Sequence, residues 1–276
     1  MMSQPVASRV AALIATALLA VLGACSLSEP EAKRSQDASG PPQASPTPSL
    51  PYGAPPDGRG VTFGEKGFSV TVDGGGTPMV SYGVIVENPS KYIVGLVIKV
   101  TLRSAKGGEV SDGPAFSPST VGHRAIRFIY PGERFGLGGL YDTDPLEAAR
   151  DVVGVDFEVL RGQWWPVGSS RSFLGRTRPL PHVTIRDVTA RRHRKTGLAL
   201  SFTAVSAGSE PVLDTCVQAL FRDSSGKIVG GSGPYLSTAF KGFPPGTSTA
   251  EVRVPAGVPR DVDLTRIEAY HEESCL

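Results

Sequence analysis

Apolar residues along this chain recur at every second position in short runs, the period of a strand with one buried face. Val80, Tyr82, Val84 and Val86 alternate in this way, as do Ile98, Val100 and Leu102. The pattern returns at Leu198, Leu200, Phe202 and Ala204, and again at Val217, Ala219 and Phe221. Between the runs stand turn clusters: Asp73-Gly74-Gly75-Gly76, Asn88-Pro89-Ser90, Lys106-Gly107-Gly108 and Ser224-Ser225-Gly226. Short strands at this spacing predict an antiparallel sandwich or barrel. The one helical candidate, Pro145 to Arg150, has a proline start but runs for only about a turn and a half.

The alternating pattern also repeats along the chain. Leu96 to Gly107 aligns with Thr215 to Gly226, so that Ile98, Val100 and Leu102 fall on Val217, Ala219 and Phe221. Downstream, Pro131-Gly132 corresponds to Pro245-Gly246, and Val155 to Val159 corresponds to the region of Ile267 to Tyr270. The offset drifts from 119 to 114 to about 112 residues, as insertions in loops would produce. We read a tandem duplication of one all-β module. Residues 61–165 form the first module, 166–181 an inter-module linker and 182–276 the second.

The N-terminal segment has a different character. Arg9 precedes an apolar stretch from Val10 to Leu22, which ends on Gly23, Ala24 and Cys25. The stretch is shorter than the roughly 20 apolar residues that cross a bilayer, so it reads as a secretory signal over residues 1–24. The box Leu22-Gly23-Ala24-Cys25 resembles the lipobox of bacterial lipoproteins. That resemblance implies diacylglyceryl attachment to the Cys25 thiol, cleavage just before it and retention on the extracytoplasmic side of the cell membrane. Two acyl chains hold where one binds only reversibly, because each buried CH₂ contributes about 0.8 kcal/mol. Residues 25–60 then carry the lipidated cysteine and a Pro/Ser-rich stretch, with Gly40-Pro41-Pro42 and Ser45-Pro46-Thr47-Pro48 as examples. So few large apolar residues cannot offset the entropy of ordering, and the stretch reads as a disordered tether. As a flexible coil, Ser26 to Gly60 would span roughly 30–40 Å.

A second resemblance concerns the folded part. The run Val217-Gln218-Ala219-Leu220-Phe221-Arg222-Asp223-Ser224-Ser225-Gly226-Lys227-Ile228-Val229 resembles the small immunoglobulin-like modules of bacterial surface lipoproteins named for an F-x-L-Y-D motif. Arg222 stands where that motif has tyrosine, and the first copy has Arg103-Ser104 where the motif has Tyr-Asp. The resemblance implies an all-β fold of two tandem immunoglobulin-like antiparallel β-sandwich modules that bind or scaffold and carry no catalytic machinery.

Candidate chemistry is sparse. With Cys25 lipidated, Cys216 and Cys275 remain, an even number for an oxidising compartment. A disulfide between them would close a loop of about 60 residues and stabilise the fold by roughly 4 kcal/mol in the chain-entropy picture. Two free thiols, or an intermolecular bridge through Cys275, are the alternatives. His123, His182, His193 and His271 lack the spacing of a zinc site, and there is no Gly-x-Ser-x-Gly elbow. We therefore expect no enzyme, no cofactor and no resident metal. Gly136-Leu137-Gly138-Gly139 lacks the final glycine and following helix of a dinucleotide loop and reads as a flexible strand or bulge. Asp142-Thr143-Asp144 reads as a turn or, with further oxygens, a calcium ligand pair.

Two features remain as candidates for partner binding. Trp164-Trp165, at the end of the first module, reads either as an exposed patch or as a plug between the modules. The cationic run Arg191, Arg192, His193, Arg194 and Lys195 lies between two expected strands, at a hairpin tip that would be solvated or would touch an acidic surface. Loss of Arg9 with the signal leaves 27 of 28 cations against 26 acids, which gives no indication of nucleic-acid binding. The expected function is a membrane-anchored, non-catalytic module that binds an unknown protein or cell-wall ligand. The alternative is a solute- or metal-binding accessory subunit of an envelope transport or sensing system. Intact mass of the membrane-extracted protein should show a diacylglyceryl adduct on Cys25, and Cys25→Ala should appear in the medium. An unmodified mutant retained as well as the parent would exclude the anchor.

Overall fold

A computed structural model describes residues 53–72, 76–107, 123–142, 149–173, 176–193, 197–213, 215–235, 242–254 and 257–273. Among them the chain forms strands almost throughout, as the alternating pattern predicts. The first six are β1 (Thr62–Val72), β2 (Pro78–Glu87), β3 (Ile93–Ser104), β4 (His123–Ile129), β5 (Arg134–Asp142) and β6 (Val152–Trp165). The linker is not extended chain but a small hairpin of β7 (Ser170–Phe173) and β8 (Arg176–Pro179). The last six are β9 (Val183–His193), β10 (Gly197–Ser206), β11 (Thr215–Arg222), β12 (Ile228–Tyr235), β13 (Gly246–Val254) and β14 (Glu268–Glu273). The helical candidate falls largely on residues outside those described.

The strands pair antiparallel into three-stranded sheets. In the first set the orders are β1-β2-β5 and β4-β3-β6, and in the last set β9-β10-β13 and β12-β11-β14. Counted within each set, both orders are 1-2-5 and 4-3-6. Each pair of sheets encloses its own core. Val80, Tyr82, Val84 and Val86 meet Ile98, Val100 and Leu102 in the first, while Leu198, Leu200 and Phe202 meet Val217, Ala219 and Phe221 in the second. These are the residues that the alternation marks as inward-facing.

The opposite faces of two sheets depart from that simple picture. Both faces of β2 and of β11 are buried, where the pattern alone predicts one. The cause is that β1-β2-β5 packs face to face against β12-β11-β14, so that the two sets of strands form one compact unit. Ile85, Leu220 and Ile228 make a third apolar cluster between them. Ser81 Oγ donates to the Gly231 carbonyl at 2.8 Å and accepts from the Gly231 N–H at 3.0 Å. The Gly138 N–H donates to Gln218 Oε1 at 2.9 Å.

Glycine makes this approach possible. Facing sheets ordinarily sit about 10 Å apart with side chains between them. Here backbone meets backbone instead. A Cβ on Gly83 would lie 2.6 Å from Leu220 Cδ2 and 2.7 Å from the Gly230 carbonyl oxygen, and one on Gly138 would lie 2.6 Å from the Ala219 carbonyl oxygen. Across the joint, a Cβ on Gly231 would lie 2.7 Å from Gly138 Cα. Gly136 to Gly139 therefore form neither a flexible segment nor a bulge. They sit in unbroken register with β2, from Glu87 opposite Arg134 to Met79 opposite Asp142.

Overpacking of this kind costs about 1–3 kcal/mol or more. In urea titrations Gly83→Val should lower the unfolding free energy by at least that amount. Gly154→Ala, whose new Cβ meets nothing nearer than Arg103 Cβ at 3.9 Å, should stay within about 0.5 kcal/mol of the parent. Equal midpoints for Gly83→Val and the parent would rule out the close contact.

Candidate functional site

A surface depression follows strand β6. Its first part is a groove of about 630 Å³ between Phe63, Gly64 and Lys66 of β1, Lys99, Thr101 and Arg103 of β3, and Asp156 to Glu158 of β6. Register explains the grouping: Lys99 lies opposite Glu158 and Thr101 opposite Asp156, so their side chains share the outer face of the sheet. Lys66 Nζ reaches Asp156 Oδ1 at 2.9 Å, and Arg103 Nε donates to the other carboxylate oxygen. The Lys66 hydrogen bond, joined by that of Arg103, holds the Asp156 carboxyl below its usual range against a smaller desolvation effect. The Phe63 and Phe157 rings, 5.9 Å apart, lie beneath.

Further along β6 a second groove, of about 420 Å³, is lined by Gly53 and Val159 to Gly162. Two bulges shape the strand. Val159 pairs with Ile98 but Arg161 with Val97, leaving Leu160 as an extra residue, and likewise Val153 is extra between Val152 and Gly154. Both extra residues are apolar and turned outward, Val153 being 60% and Leu160 38% exposed. Among the described residues no strand pairs with β6 on the side away from β3. One residue of the incoming chain does reach it, because the Gly53 N–H donates to the Gly162 carbonyl at 3.1 Å.

The tryptophan pair divides. Trp164 is 2% exposed in the first core, and its Nε1 donates to the Gly53 carbonyl at 3.0 Å. Its ring thus has no surface to offer a partner and does not lie between the two strand sets. Trp165 points to the other face, with its ring against Gly95 and edge-on to Phe128 at 5.2 Å, while Arg171 stands 5.7 Å over Phe128. The joint between the sets is filled by Ile85, Leu220 and Ile228 instead. Adjacent residues of a strand point to opposite faces, which is why the pair divides. The glycines at the joint carried no such signal, because their role depends on a partner sheet distant in sequence.

The basic run begins as expected at the end of a hairpin, with His193 paired to Gly197. Arg191 is exposed and ion-paired with Glu251 at 3.2 Å, and Arg192 Nη2 lies 3.5 Å from the Arg260 carbonyl oxygen. Arg194 and Lys195 lie outside the described residues, as do Cys25, Cys275 and Asp144. Asp142 closes β5. Cys216 is 1% exposed and stands opposite Glu272 in the β11–β14 ladder.

No protein-family model and no curated protein sequence matches this chain. Among the described residues no group of three or more His, Cys, Asp and Glu side chains is placed to hold a metal ion.

Two of the histidines meet at the joint. His182 stacks on Tyr130 with ring centroids 4.0 Å apart, and both His182 and His271 border a cavity of about 10 Å³ with Phe128, Glu133 and Phe135. That space admits about one water molecule and no larger solute. His271 Nε2 is buried there without a hydrogen-bond partner. Burial, with a smaller contribution from His182, pushes the His271 pKa down to about 3, and burial also lowers that of His182. Burial raises the carboxyl pKa of the neighbouring Glu133.

The unfolded chain thus binds a proton at position 271 from about pH 6.5 downward, while the folded chain does so only near pH 3. Stability falls as pH drops through that window, by about 1 kcal/mol per unit for one such group. Glu133 acts in the opposite direction near the lower end. His271→Gln should flatten the decline of the urea midpoint between pH 6.5 and 5. An unchanged slope would show that His271 is not the group responsible.

Proposed function

We propose that this chain is a lipid-anchored extracytoplasmic protein whose folded part is a non-catalytic binding or scaffold head. The order of its parts carries the reading: the Leu22-Gly23-Ala24-Cys25 box, then a Pro/Ser-rich tether, then a double sandwich packed face to face. Lipid on Cys25 holds the chain to the membrane, and the tether supplies reach. The head meets a protein or cell-wall ligand through its outer faces and strand edges. The joint between the strand sets, where a solute-binding accessory subunit would hold its ligand, is occupied by packed side chains and glycine backbone.

Two structural proposals accompany this one. The first is that residues 61–165 and 182–276 descend from one duplicated immunoglobulin-like module akin to the F-x-L-Y-D domains. The repeated 1-2-5 and 4-3-6 sheet orders support it. In the second copy Arg222, at the motif's tyrosine position, binds Glu65 of β1 and Glu268 of β14, and so ties the copies together. The second proposal is a disulfide between Cys216 and Cys275. Cys216 faces Glu272, three residues before Cys275, so a short turn of chain would bring the sulfurs within bonding reach.

Protease added to intact cells or spheroplasts should release the head from wild-type membranes. Non-reducing peptide maps of the released material should contain Cys216 joined to Cys275. A head that remains protected until the membrane is lysed would place it on the cytoplasmic side and overturn the functional reading.

A further inference from the structure

We propose that the free edge of β6 is a docking site for a short, extended, acidic and apolar polypeptide segment of a partner, which adds as a strand beside Gly154–Val159. This deepens the binding-head reading and rests on it for its biological setting. Two grooves run along this one edge, and Asp156 to Gly162 line them without interruption. No described strand pairs with that edge. Among the described residues no other backbone bonds to Gly154–Val159 on that side, which leaves its main-chain groups to an extended chain, the means by which strand addition gains its affinity. The Gly53 bond to Gly162 shows backbone from elsewhere already seated at the far end of this edge.

Exposed edges are commonly guarded against open-ended pairing, and bulges are one such guard. On β6 the bulges at Val153 and Leu160 bound a regular run of six residues, Gly154–Val159. A strand of that length can pair and a longer one is turned away, so the guard also sets the size of the guest. The bulged Val153 and Leu160 side chains offer apolar contacts at the two ends. Charge selects the guest further: Lys66, Arg103 and Arg161 line the two grooves against Asp156 and Glu158, and Asp156 is already held by Lys66 and Arg103. The excess of cations suits a segment that carries carboxylates among its apolar residues.

The test uses the purified full chain in detergent and a capped six-residue peptide of alternating valine and glutamate, with a valine–lysine peptide as control. Hydrogen-exchange mass spectrometry at millimolar peptide should show slowed exchange across Gly154–Val159 with the glutamate peptide only. Leu160→Asp and Lys66→Gln, both at exposed positions, should each weaken that binding at least tenfold, with the urea midpoint in place for Leu160→Asp and lowered in Lys66→Gln by no more than the small contribution of one exposed ion pair. Absence of protection, protection on another edge, or affinity unchanged in both variants would overturn the proposal. So would slow exchange across Gly154–Val159 before peptide is added, because the chain itself would then fill the edge. None of these failures bears on the lipid anchor, which protease release from cells tests separately.

Discussion

The close approach of sheet β1-β2-β5 to sheet β12-β11-β14 is the constraint on which the rest of this fold depends. Two sandwiches joined only by a short linker would be expected to move relative to one another, because interfaces between domains in one chain are usually modest and polar. Here glycines at positions 83, 138 and 231 remove the side chains that would hold the sheets apart. Ser81 and Gln218 then reach across to backbone groups on the other sheet. The halves share an apolar cluster, a set of hydrogen bonds and a steric fit that tolerates no added carbon.

Charged groups at this joint contribute direction more than stability. Glu272 accepts from Gln218 Nε2 and lies 3.9 Å from Arg124 of β4, with both charged side chains almost wholly out of water. Desolvation offsets much of what such a pair gains, so its presence is weak evidence for added stability. Truncating one member of such a buried pair is costly, however, which penalises arrangements that separate the two. Arg222 plays a similar part nearer the surface, holding Glu65 and Glu268 from opposite halves, and it lowers the Glu65 pKa mainly through their hydrogen bond.

Much of the fold was legible in the chain because strand period is a local signal. Val80 to Val86 and Leu198 to Ala204 alternate within ten residues, and each run forms the strand it predicts. The second buried faces of β2 and β11 were hidden because Ser81, Gly83 and Gln218 look like solvent-facing residues until another sheet covers them. Gly136 to Gly139 were misread for the same reason, since glycine in a strand signals either looseness or close approach and only the neighbour decides. The groove beside β6 was not legible at all. It gathers Lys66, Lys99 and Asp156 from three strands far apart in sequence, and its limits are bulges that appear only once β6 is paired with β3.

Cooperative unfolding tests the central claim most directly. The chain's two tryptophans both lie in β6, so their fluorescence reports the first sandwich, while hydrogen exchange of β10 amides reports the second. If the glycine-packed joint makes one body, both signals will change at the same urea concentration and give the same unfolding free energy. Two transitions with separate midpoints would show that the sandwiches fold independently and would contradict the account.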